Sequence, residues 1–342
     1  MRMVHRKNVK MKDIAEAIGV STVTVSKALA NKEGVSEELR NAIKDKAAEL
    51  GYVYNPIPKS MLNGLVNNVG ILVSKKFLVR GYDVYFQIYE TIVEKLTEYG
   101  YFGLLEVLTK QEEFDCEMPR VLRESKVDGL ILLGQISYPY IQMIETSDIP
   151  FVLLDFYGSY EGVTSVVADN FYGSYLLTSY LIKKGHRKIG FVGNYRATSS
   201  IMDRYMGYLK SLIENGIEEK VQDYLIMDRD NHNANIELTF PREMPTSFVC
   251  NNDEVANTLI GKLIQSGYKV PDDVSVVGFD NFDKNYSSQI GITTIEVDFI
   301  EMGKTAVDII LKKIQVPNYD PGRHLVNCRM VIRDSVKAIL EK

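Results

Sequence analysis

The feature that most constrains the fold is a series of short apolar runs that begins at Asn68 and continues through most of the chain. Segments of helix length separate each run from the next. Runs of about five residues, apolar on both faces, are typical of strands buried in a parallel sheet between helices. More than eight such strands are too many for one ordinary sheet, so we predict two Rossmann-like halves. The runs include VGILV, FGLLEVL, VDGLILLG, PFVLLDF, KIGFVG, YLIMD, SFVCN and VSVVGFDN.

A polar residue follows nearly every run. In doubly wound sheets, ligands bind beyond the carboxyl ends of the strands, so these residues are expected to converge on one cleft. Carboxylates, amides and a hydroxyl in such a cleft are suited to a small, hydroxyl-rich molecule. The residues predicted in this way are Ser74, Glu106, Gln135, Asp155, Asn194, Asn252 and Asp280.

Three short helices are predicted before residue 52. Gly19 suits the end of the first helix, Ser21 and Ser36 are good caps for the second and third, and Gly51 ends the third. This spacing is typical of a helix-turn-helix unit whose second helix reads the DNA major groove, and a three-helix bundle without that role is the alternative. The predicted apolar positions are Ile14, Ala15 and Ile18; Val25, Ala28 and Leu29; and Leu39, Ala42, Ile43, Ala47 and Leu50.

The charge is unevenly distributed. The first 66 residues carry 11 basic and seven acidic side chains, whereas the rest carry 29 and 38, within a net charge of −5. A basic head on an acidic body is what a nucleic-acid-binding appendage would produce.

Several classes of protein are not supported. No apolar run approaches the roughly eighteen residues of a membrane span, and the N-terminus has no apolar signal core, so we expect a cytoplasmic, nucleoid-associated protein. Cys116, Cys250 and Cys328 form no disulfide or metal pattern, and no metal or cofactor is expected. GFVGNYRATSS lacks the third glycine of a dinucleotide loop, and no partnered nucleophile is visible, so we expect no enzyme.

The segment VKMKDIAEAIGVSTVTVSKALANKEGVSEELRNAIKDKAAELGYVYNP resembles, without gaps, the DNA-binding headpiece of the LacI/GalR family of bacterial transcription regulators. The resemblance implies base reading by Thr22, Val23 and Lys27, and phosphate contacts by Ser21, Thr24 and Ser26. Val23 suits a thymine methyl group. The family usually has Arg at the position of Lys27, so a weaker guanine preference is expected because Lys cannot make the bidentate contact.

The segment NPIPKSMLNG follows the headpiece. In the family it folds on DNA into a hinge helix that inserts an apolar side chain into the minor groove. The resemblance assigns that role to Met61 and a phosphate or groove contact to Lys59. Pro56 and Pro58 depart from the family pattern, so the helix could begin no earlier than about Pro56.

The remainder is similar to the effector module of the same family, which shares its fold with periplasmic sugar receptors. The similarity rests on SVVADNFYGSYLLTSYLIKKGHRKIGFVGN, DRYMGY, CNNDEVA, VPDDVSVVGFDN and TTIEVDFIEMGKTAVDIIL, and the last of these is expected to cross over into a helix of the first half. The resemblance implies that Arg204, Asn252 and Asp280 bind effector hydroxyls, and aromatic residues would cover the effector's apolar face. The aromatic candidates are Tyr85, Phe86, Tyr138, Phe156 and Tyr195.

The sequence thus predicts a small all-α helix-turn-helix headpiece, joined by a hinge to an α/β periplasmic-binding-protein-like module of two Rossmann-like subdomains. The predicted ranges are 1–54 for the headpiece, 55–66 for the hinge and 67–342 for the module, whose first half is about 67–167 plus 296–321 and whose second half is about 168–295 plus 322–336.

The predicted function is that of a sequence-specific transcriptional regulator, with repression favoured, whose affinity for operator DNA responds to a small effector such as a sugar. A homodimer is favoured, because one headpiece reads too few base pairs and VKAILEK is too short for a tetramerising coiled coil. Lys75, Lys76 and Arg80 would favour an anionic effector if they pointed into the cleft. The alternatives are control by a phosphocarrier protein and a sugar-binding receptor without gene control.

Overall fold

The computed structural model describes residues 9–52, 64–78, 84–159, 162–217, 221–230, 236–281 and 290–339. The chain divides between Leu65 and Val66 into two compact units, here called the N-terminal and C-terminal units. Of the hinge predicted over 55–66, only residues 64–66 are described, and Lys59 and Met61 lie outside the described residues.

Within residues 9–52, the N-terminal unit forms three helices, α1 (Met11–Ile18), α2 (Thr22–Leu29) and α3 (Glu37–Glu49). Their ends follow the local sequence signals. Gly19 has a φ of 76° at the end of α1, and the Ser21 hydroxyl accepts the Thr24 N–H at 3.1 Å. Of the predicted apolar positions, Ala42 is exposed, because the interior of this small unit is filled by larger side chains such as Ile14, Val25 and Ile43.

The C-terminal unit alternates strands with helices. Its strands are β1 (Asn68–Ser74), β2 (Phe102–Leu108), β3 (Gly129–Leu133), β4 (Phe151–Leu154), β5 (Ser165–Ala168), β6 (Ile189–Val192), β7 (Leu225–Ile226), β8 (Ser247–Cys250), β9 (Ser275–Val277), β10 (Thr294–Val297), β11 (Arg323–Val326) and β12 (Cys328–Val331). Its α-helices are α4 (Val84–Glu98), α5 (Lys110–Phe114), α6 (Arg120–Arg123), α7 (Tyr138–Glu145), α8 (Asn170–Lys183), α9 (Ser199–Glu214), α10 (Asp253–Gln265) and α11 (Phe299–Gln315).

The first half is built on a six-stranded parallel sheet in the order β11-β5-β4-β3-β1-β2. Strand order reverses between β1 and β3, which is where such sheets bind ligands. The run FGLLEVL was predicted to be buried on both faces, and this is wrong for β2. It is an edge strand, so Phe102, Leu105 and Val107 are exposed. Glu106 lies within β2 rather than beyond its end.

The second half is built on a parallel sheet in the order β7-β6-β8-β9, whose strand order reverses between β6 and β8. A separate antiparallel pair joins β10 to β12. Residues 322–336 were predicted to belong to the second half, but β11 pairs with β5 in the first sheet. The chain therefore leaves the first sheet after Val326, and the predicted boundary is about five residues too early because periodicity cannot identify a strand's partner.

Helix α11 packs against α4 and against strands β3, β4 and β5, so this stretch is a helix of the first half, as predicted. Its buried face includes Met302, Ala306 and Ile310, which join Ile88 and Ile131 in one core. Among the helices of the described residues, none has both the length and the apolar character that a membrane crossing needs.

Candidate functional sites

The outward face of α2 carries the residues predicted to read bases. Thr22, Val23 and Lys27 are all exposed, and 63% of the Val23 surface is accessible. An exposed β-branched apolar side chain on a helix that packs its other face is available for contact with another molecule. The predicted base-reading residues thus share one accessible face.

The predicted phosphate-contacting residues are partly occupied by the helix cap. The Ser21 hydroxyl lies 2.9 Å from the Thr24 hydroxyl and accepts the Thr24 backbone N–H. Thr24 and Ser26 are half-buried. These residues fix the start of α2, and a hydroxyl can still contact a phosphate from this position.

The sequence did not reveal the role of Arg40, which holds the loop between α2 and α3. Its guanidinium donates to the carbonyl oxygens of Ala28 at 3.3 Å, Lys32 at 2.7 Å and Val35 at 3.4 Å. One side chain thereby satisfies carbonyl groups at the end of α2 and in the turn that follows it. The fixed fork of donors on Arg suits this task.

In the C-terminal unit, Arg204 is the centre of a buried polar group at the carboxyl ends of the second sheet. It donates from Nε to Asn170 Oδ1 at 2.7 Å, from Nη2 to Asp280 Oδ1 at 3.0 Å and from Nη1 to the Asn251 carbonyl oxygen. Its guanidinium also lies over the Phe279 ring at 3.9 Å. A buried charge with this many partners is held in a single orientation.

Asp155 joins this group from the first half. Its carboxylate accepts the Tyr85 hydroxyl at 2.8 Å. Burial raises the pKa of Asp155 to about 6, while the Tyr85 hydrogen bond and the Arg204 charge oppose that shift and the Asp280 charge adds to it. The charges of Asp155, Arg204 and Asp280 therefore act on one another across the two halves. We call Asp155, Asn170, Arg204, Asn251 and Asp280 the strand-end cluster.

Both aspartates of the cluster have unusual backbone conformations. The φ angle is 68° at Asp155 and 97° at Asp280, in the region that favours glycine. Residues held in such conformations cost free energy and gather at ligand sites, so this strain supports a binding role for the two carboxylates.

Asp228 is a second organising residue, and it was missed. Its Oδ1 accepts the Asn194 backbone N–H at 2.8 Å, and its Oδ2 accepts Asn251 Nδ2 at 2.8 Å and Arg229 Nε at 2.7 Å. It therefore ties together the loops after β6, β7 and β8. The signal was present in the sequence, because Asp228 ends the run YLIMD just as the other predicted residues end theirs.

The remaining predicted residues already have partners within the protein. Asn194 accepts the Arg196 N–H through Oδ1 at 3.0 Å, and Asn252 caps α10 by accepting the Val255 N–H at 2.8 Å. Gln135 Oε1 accepts the Ser199 N–H at 3.0 Å. All three residues lie at strand ends, as predicted. Their side-chain amide oxygens accept backbone N–H groups and thereby stabilise the loops.

Ser74 belongs to a different group of contacts in the first half. Its hydroxyl donates to Glu113 Oε2 at 3.1 Å, and Glu113 Oε1 accepts the Ser137 N–H at 2.8 Å. Lys76 Nζ lies 3.8 Å from the same carboxylate, and partial burial lowers the pKa of Lys76. The Lys76 charge is thus balanced within the protein, which removes one of the three cations that could have indicated an anionic effector.

The aromatic candidates differ in their surroundings. Phe86 is 49% exposed on α4, and Tyr138 is exposed at the start of α7. Phe156 is fully buried in the core, and Tyr195 stacks on Tyr205 with ring centroids 4.7 Å apart. Tyr85 contacts the strand-end cluster through its hydroxyl, which donates to Asp155. Glu106, within β2, accepts backbone N–H groups of Arg120 and Val121 at the start of α6.

Two family models match the chain. Residues 10–55 match the bacterial regulatory proteins of the lacI family, and residues 178–336 match a periplasmic binding protein-like domain. The first match covers the three helices of the N-terminal unit, and the second covers most of the second half, including Arg204 and Asp280.

Other proteins match nearly the whole of this chain. The chain is 30% identical over 339 residues to the HTH-type transcriptional repressor PurR of Photobacterium profundum, covering 96% of this chain and 98% of that one. Its fold is similar to that of the lac repressor dimer bound to operator and the anti-inducer ONPF, with a TM-score of 0.79, 22% identity and coverage of 97% and 100%. It is also similar to the transcriptional regulator CelR in complex with cellobiose, with a TM-score of 0.67, 23% identity and coverage of 96% and 99%.

Proposed function

The chain belongs to the lacI family of bacterial regulatory proteins, and from this premise we propose that it is a transcriptional repressor whose affinity for operator DNA is set by a small hydroxyl-rich effector. In this proposal it acts in the cytoplasm, at the nucleoid, as a homodimer on a two-fold symmetric operator. It catalyses no reaction, and the relative of 30% identity is a repressor.

The observation that carries the proposal is the exposed face of α2 on the same chain as the strand-end cluster. Thr22, Val23 and Lys27 present a methyl group, a hydroxyl and an ammonium, which are groups that contact base edges in the major groove. The proposal includes a phosphate or groove contact by Lys59 and minor-groove insertion by Met61, two residues that lie outside the described part of the chain. The strand-end cluster supports the effector part of the proposal. Asp280 accepts from the Arg204 guanidinium, Asp155 interacts electrostatically with the same guanidinium, and such groups can accept from and donate to ligand hydroxyls.

An uncharged effector is supported better than an anionic one. Arg204 donates to Asp280, and the Asp155 carboxylate adds a second negative charge to the same cluster. Lys76, in the loop after β1, lies beside Glu113. A sugar hydroxyl can donate to Asp155 or Asp280, whereas a phosphate or uronate would be repelled by them. The CelR complex with cellobiose is a neutral case of this kind in a protein of similar fold.

The edge of the first sheet supports the homodimer. Strand β2 is outermost, and Phe102, Leu105 and Val107 are exposed on it. An edge strand with exposed apolar side chains favours association unless another surface covers it. We propose that a second copy of the chain covers this edge.

A thermal-shift screen of the full chain against sugars, sugar phosphates, uronates and nucleosides tests the effector. A ligand that binds only the folded state raises the melting temperature by mass action. The neutral sugars should give the largest shift in melting temperature. Asp280→Asn should abolish that shift because it removes the carboxylate charge that accepts from the sugar hydroxyls. Asn is chosen because it tolerates the left-handed backbone at this position. Asp148→Asn, at an exposed aspartate with a φ of 54°, is the matched control and should keep the shift.

The same protein is then used to select operator DNA from a random double-stranded library. The identified ligand should change the affinity for the selected operator, measured by fluorescence anisotropy, and sedimentation velocity should give the mass of a dimer. If no DNA sequence is selected from the library, the interpretation that remains is a sugar-binding receptor without gene control. If an operator is selected but no small molecule changes the affinity for it, control by a phosphocarrier protein becomes the favoured alternative.

A further inference from the structure

Four residues join the two halves of the C-terminal unit beside the strand-end cluster. Gln135 and Tyr157 follow β3 and β4 in the first half, and Ser199 and Asp203 lie in the first turns of α9 in the second half. We call these four residues the latch. None of their mutual contacts follows from neighbouring positions, because they join residues 42 to 64 positions apart in the sequence.

The first part of the latch uses the beginning of α9. The first N–H groups of a helix have no partner within the helix. The Thr198 hydroxyl accepts the Ile201 N–H at 3.2 Å, and the Ser199 N–H donates to Gln135 Oε1 at 3.0 Å. In the opposite direction, the Tyr157 backbone N–H donates to the Ser199 hydroxyl at 3.2 Å. The first half thus both accepts from this helix end and donates to it.

The second part of the latch is charged. The Tyr157 hydroxyl donates to Asp203 Oδ1 at 2.6 Å, a short distance typical of hydrogen bonds to a carboxylate. Arg323 of β11 lies over the Tyr157 ring at 4.7 Å, so the first half presents a donor and a cation to Asp203. Burial, and next the bond to Asp203, raise the pKa of Tyr157 to about 12, so the hydroxyl keeps its proton at neutral pH.

Helix α9 also carries Arg204, the next residue after Asp203. A contact that holds the first turns of α9 against the first half therefore sets how far Arg204 and Asp280 lie from Asp155. The hydrogen bond from the Ser199 N–H also fixes the rotamer of Gln135. The position of Gln135 after β3 predicts an effector contact for this residue.

We propose that Tyr157 is a positioning residue, which acts through Asp203 on α9 to hold the two halves together before any effector binds. The effector then binds a protein whose two halves are already in contact through Gln135, Tyr157, Ser199 and Asp203, and it does not have to supply the free energy of bringing them together. The latch is a property of the chain without ligand, whereas its effect on DNA affinity rests on the proposed function.

Hydrogen exchange by mass spectrometry tests the latch in the full chain, with neither effector nor DNA. Tyr157→Phe removes only the hydroxyl and keeps the ring over which Arg323 lies. If the halves then separate more often, exchange at the amides of Tyr157 and Ser199 should become faster by tenfold to about a hundredfold, the range for a hydrogen bond to a charged group. Exchange in buried strands β3 and β8 should stay unchanged.

Two further variants separate a latch from a general loss of stability. Tyr172→Phe, at an exposed tyrosine of α8, should leave exchange unchanged. Asp203→Asn should accelerate exchange at the same two amides. In the double variant Tyr157→Phe/Asp203→Asn, exchange should be no faster than in the faster-exchanging single variant, because both substitutions alter the same hydrogen bond. The proposal is overturned by unchanged exchange at both amides, by equal acceleration in the buried strands, or by additive effects of the two substitutions. Because no effector is added, these outcomes are independent of the proposed function.

Discussion

The face of α2 and the strand-end cluster hold polar residues in opposite ways. Thr22, Val23 and Lys27 are exposed on one short helix that is fixed by its own caps. Arg204 and Asp280 are buried, and they bond to each other across 76 positions of sequence. The first surface is formed by neighbours along the chain, and the second by residues that only the completed fold brings together.

The difference teaches where recognition can be separated from stability. A side chain on the outward face of α2 can be changed with little effect on packing, because it contributes nothing to the core. A side chain of the strand-end cluster cannot, because its removal leaves buried partners without hydrogen bonds. Binding and stability should therefore be independent in the N-terminal unit and coupled in the C-terminal unit.

The largest expected effect on the free energy of unfolding is that of substituting Arg204. Arg204→Ala would leave Asp280 as a buried charge without its cation and would remove partners from Asn170 and Asn251. We expect the free energy of unfolding to fall by about 3–5 kcal/mol, as when one partner of a buried ion pair is removed. Urea unfolding followed by circular dichroism measures it.

Lys210→Ala is the matched control for this measurement. Lys210 lies on the same helix and pairs with Glu214 one turn later, but both side chains are largely exposed. Little measurable change is expected, since exposed pairs are screened by solvent. Equal losses of stability in the two variants would mean that the strand-end cluster contributes no more than an ordinary surface pair.

The second prediction concerns pH and Asp155. Its pKa of about 6 in the folded protein lies above its usual value of 3.8, so the folded state holds the proton more tightly than the unfolded state. Stability contributed by this group is complete below about pH 4 and is lost as the pH rises to about 6. Asp155→Asn removes the charge and keeps an acceptor for Tyr85. At pH 7 the free energy of unfolding of the variant, measured with urea, should exceed that of the unsubstituted protein by on the order of 2 kcal/mol. At pH 4 the variant should show no such gain.

Asp148→Asn is the control here, because Asp148 is an exposed aspartate of the same half and also has a left-handed backbone. Comparing each variant with the native protein at the same pH cancels the titration of the other groups. A gain that is the same at pH 4 and pH 7 would show that the Asp155 charge is not the cause.

The smallest of the three effects is expected at Lys27. Lys27→Ala should lower the affinity for the selected operator about tenfold and relax the base preference at one position, since the side chain donates to a base edge. The urea unfolding curve should not change, because Lys27 is exposed. Anisotropy titration with operator and with base-substituted operators measures both effects.

Lys12→Ala loses the same charge from an exposed position on α1. Its effect on DNA affinity should be smaller and the same for every DNA sequence, as for a charge that acts only on the phosphates. If Lys12→Ala and Lys27→Ala weakened binding equally and without any change of base preference, α2 would not be the reading helix.

Some of the interactions that matter most were not visible in the sequence. Arg40 looked like one more charged residue of α3, although it bonds to three carbonyl groups of the preceding loop. Asp228 ended an apolar run in the same way as Asp155 and was passed over. Gln135 was predicted for the correct strand end, but its contact with Ser199 depends on how the two halves meet. In each case the missing information was the partner, and a partner distant in sequence leaves no local pattern.

By itself, the sequence determined the helix-turn-helix unit, the alternation of strands and helices and the strand ends at which polar side chains gather, because caps, glycine turns and apolar periodicity act over a few neighbouring residues. Only the tertiary structure decided that β2 is an exposed edge, that β11 joins the first sheet, and that Arg204 lies between Asn170 and Asp280. These outcomes depend on which elements pack side by side. That choice is made by the burial of surface and the pairing of buried polar groups over the whole domain.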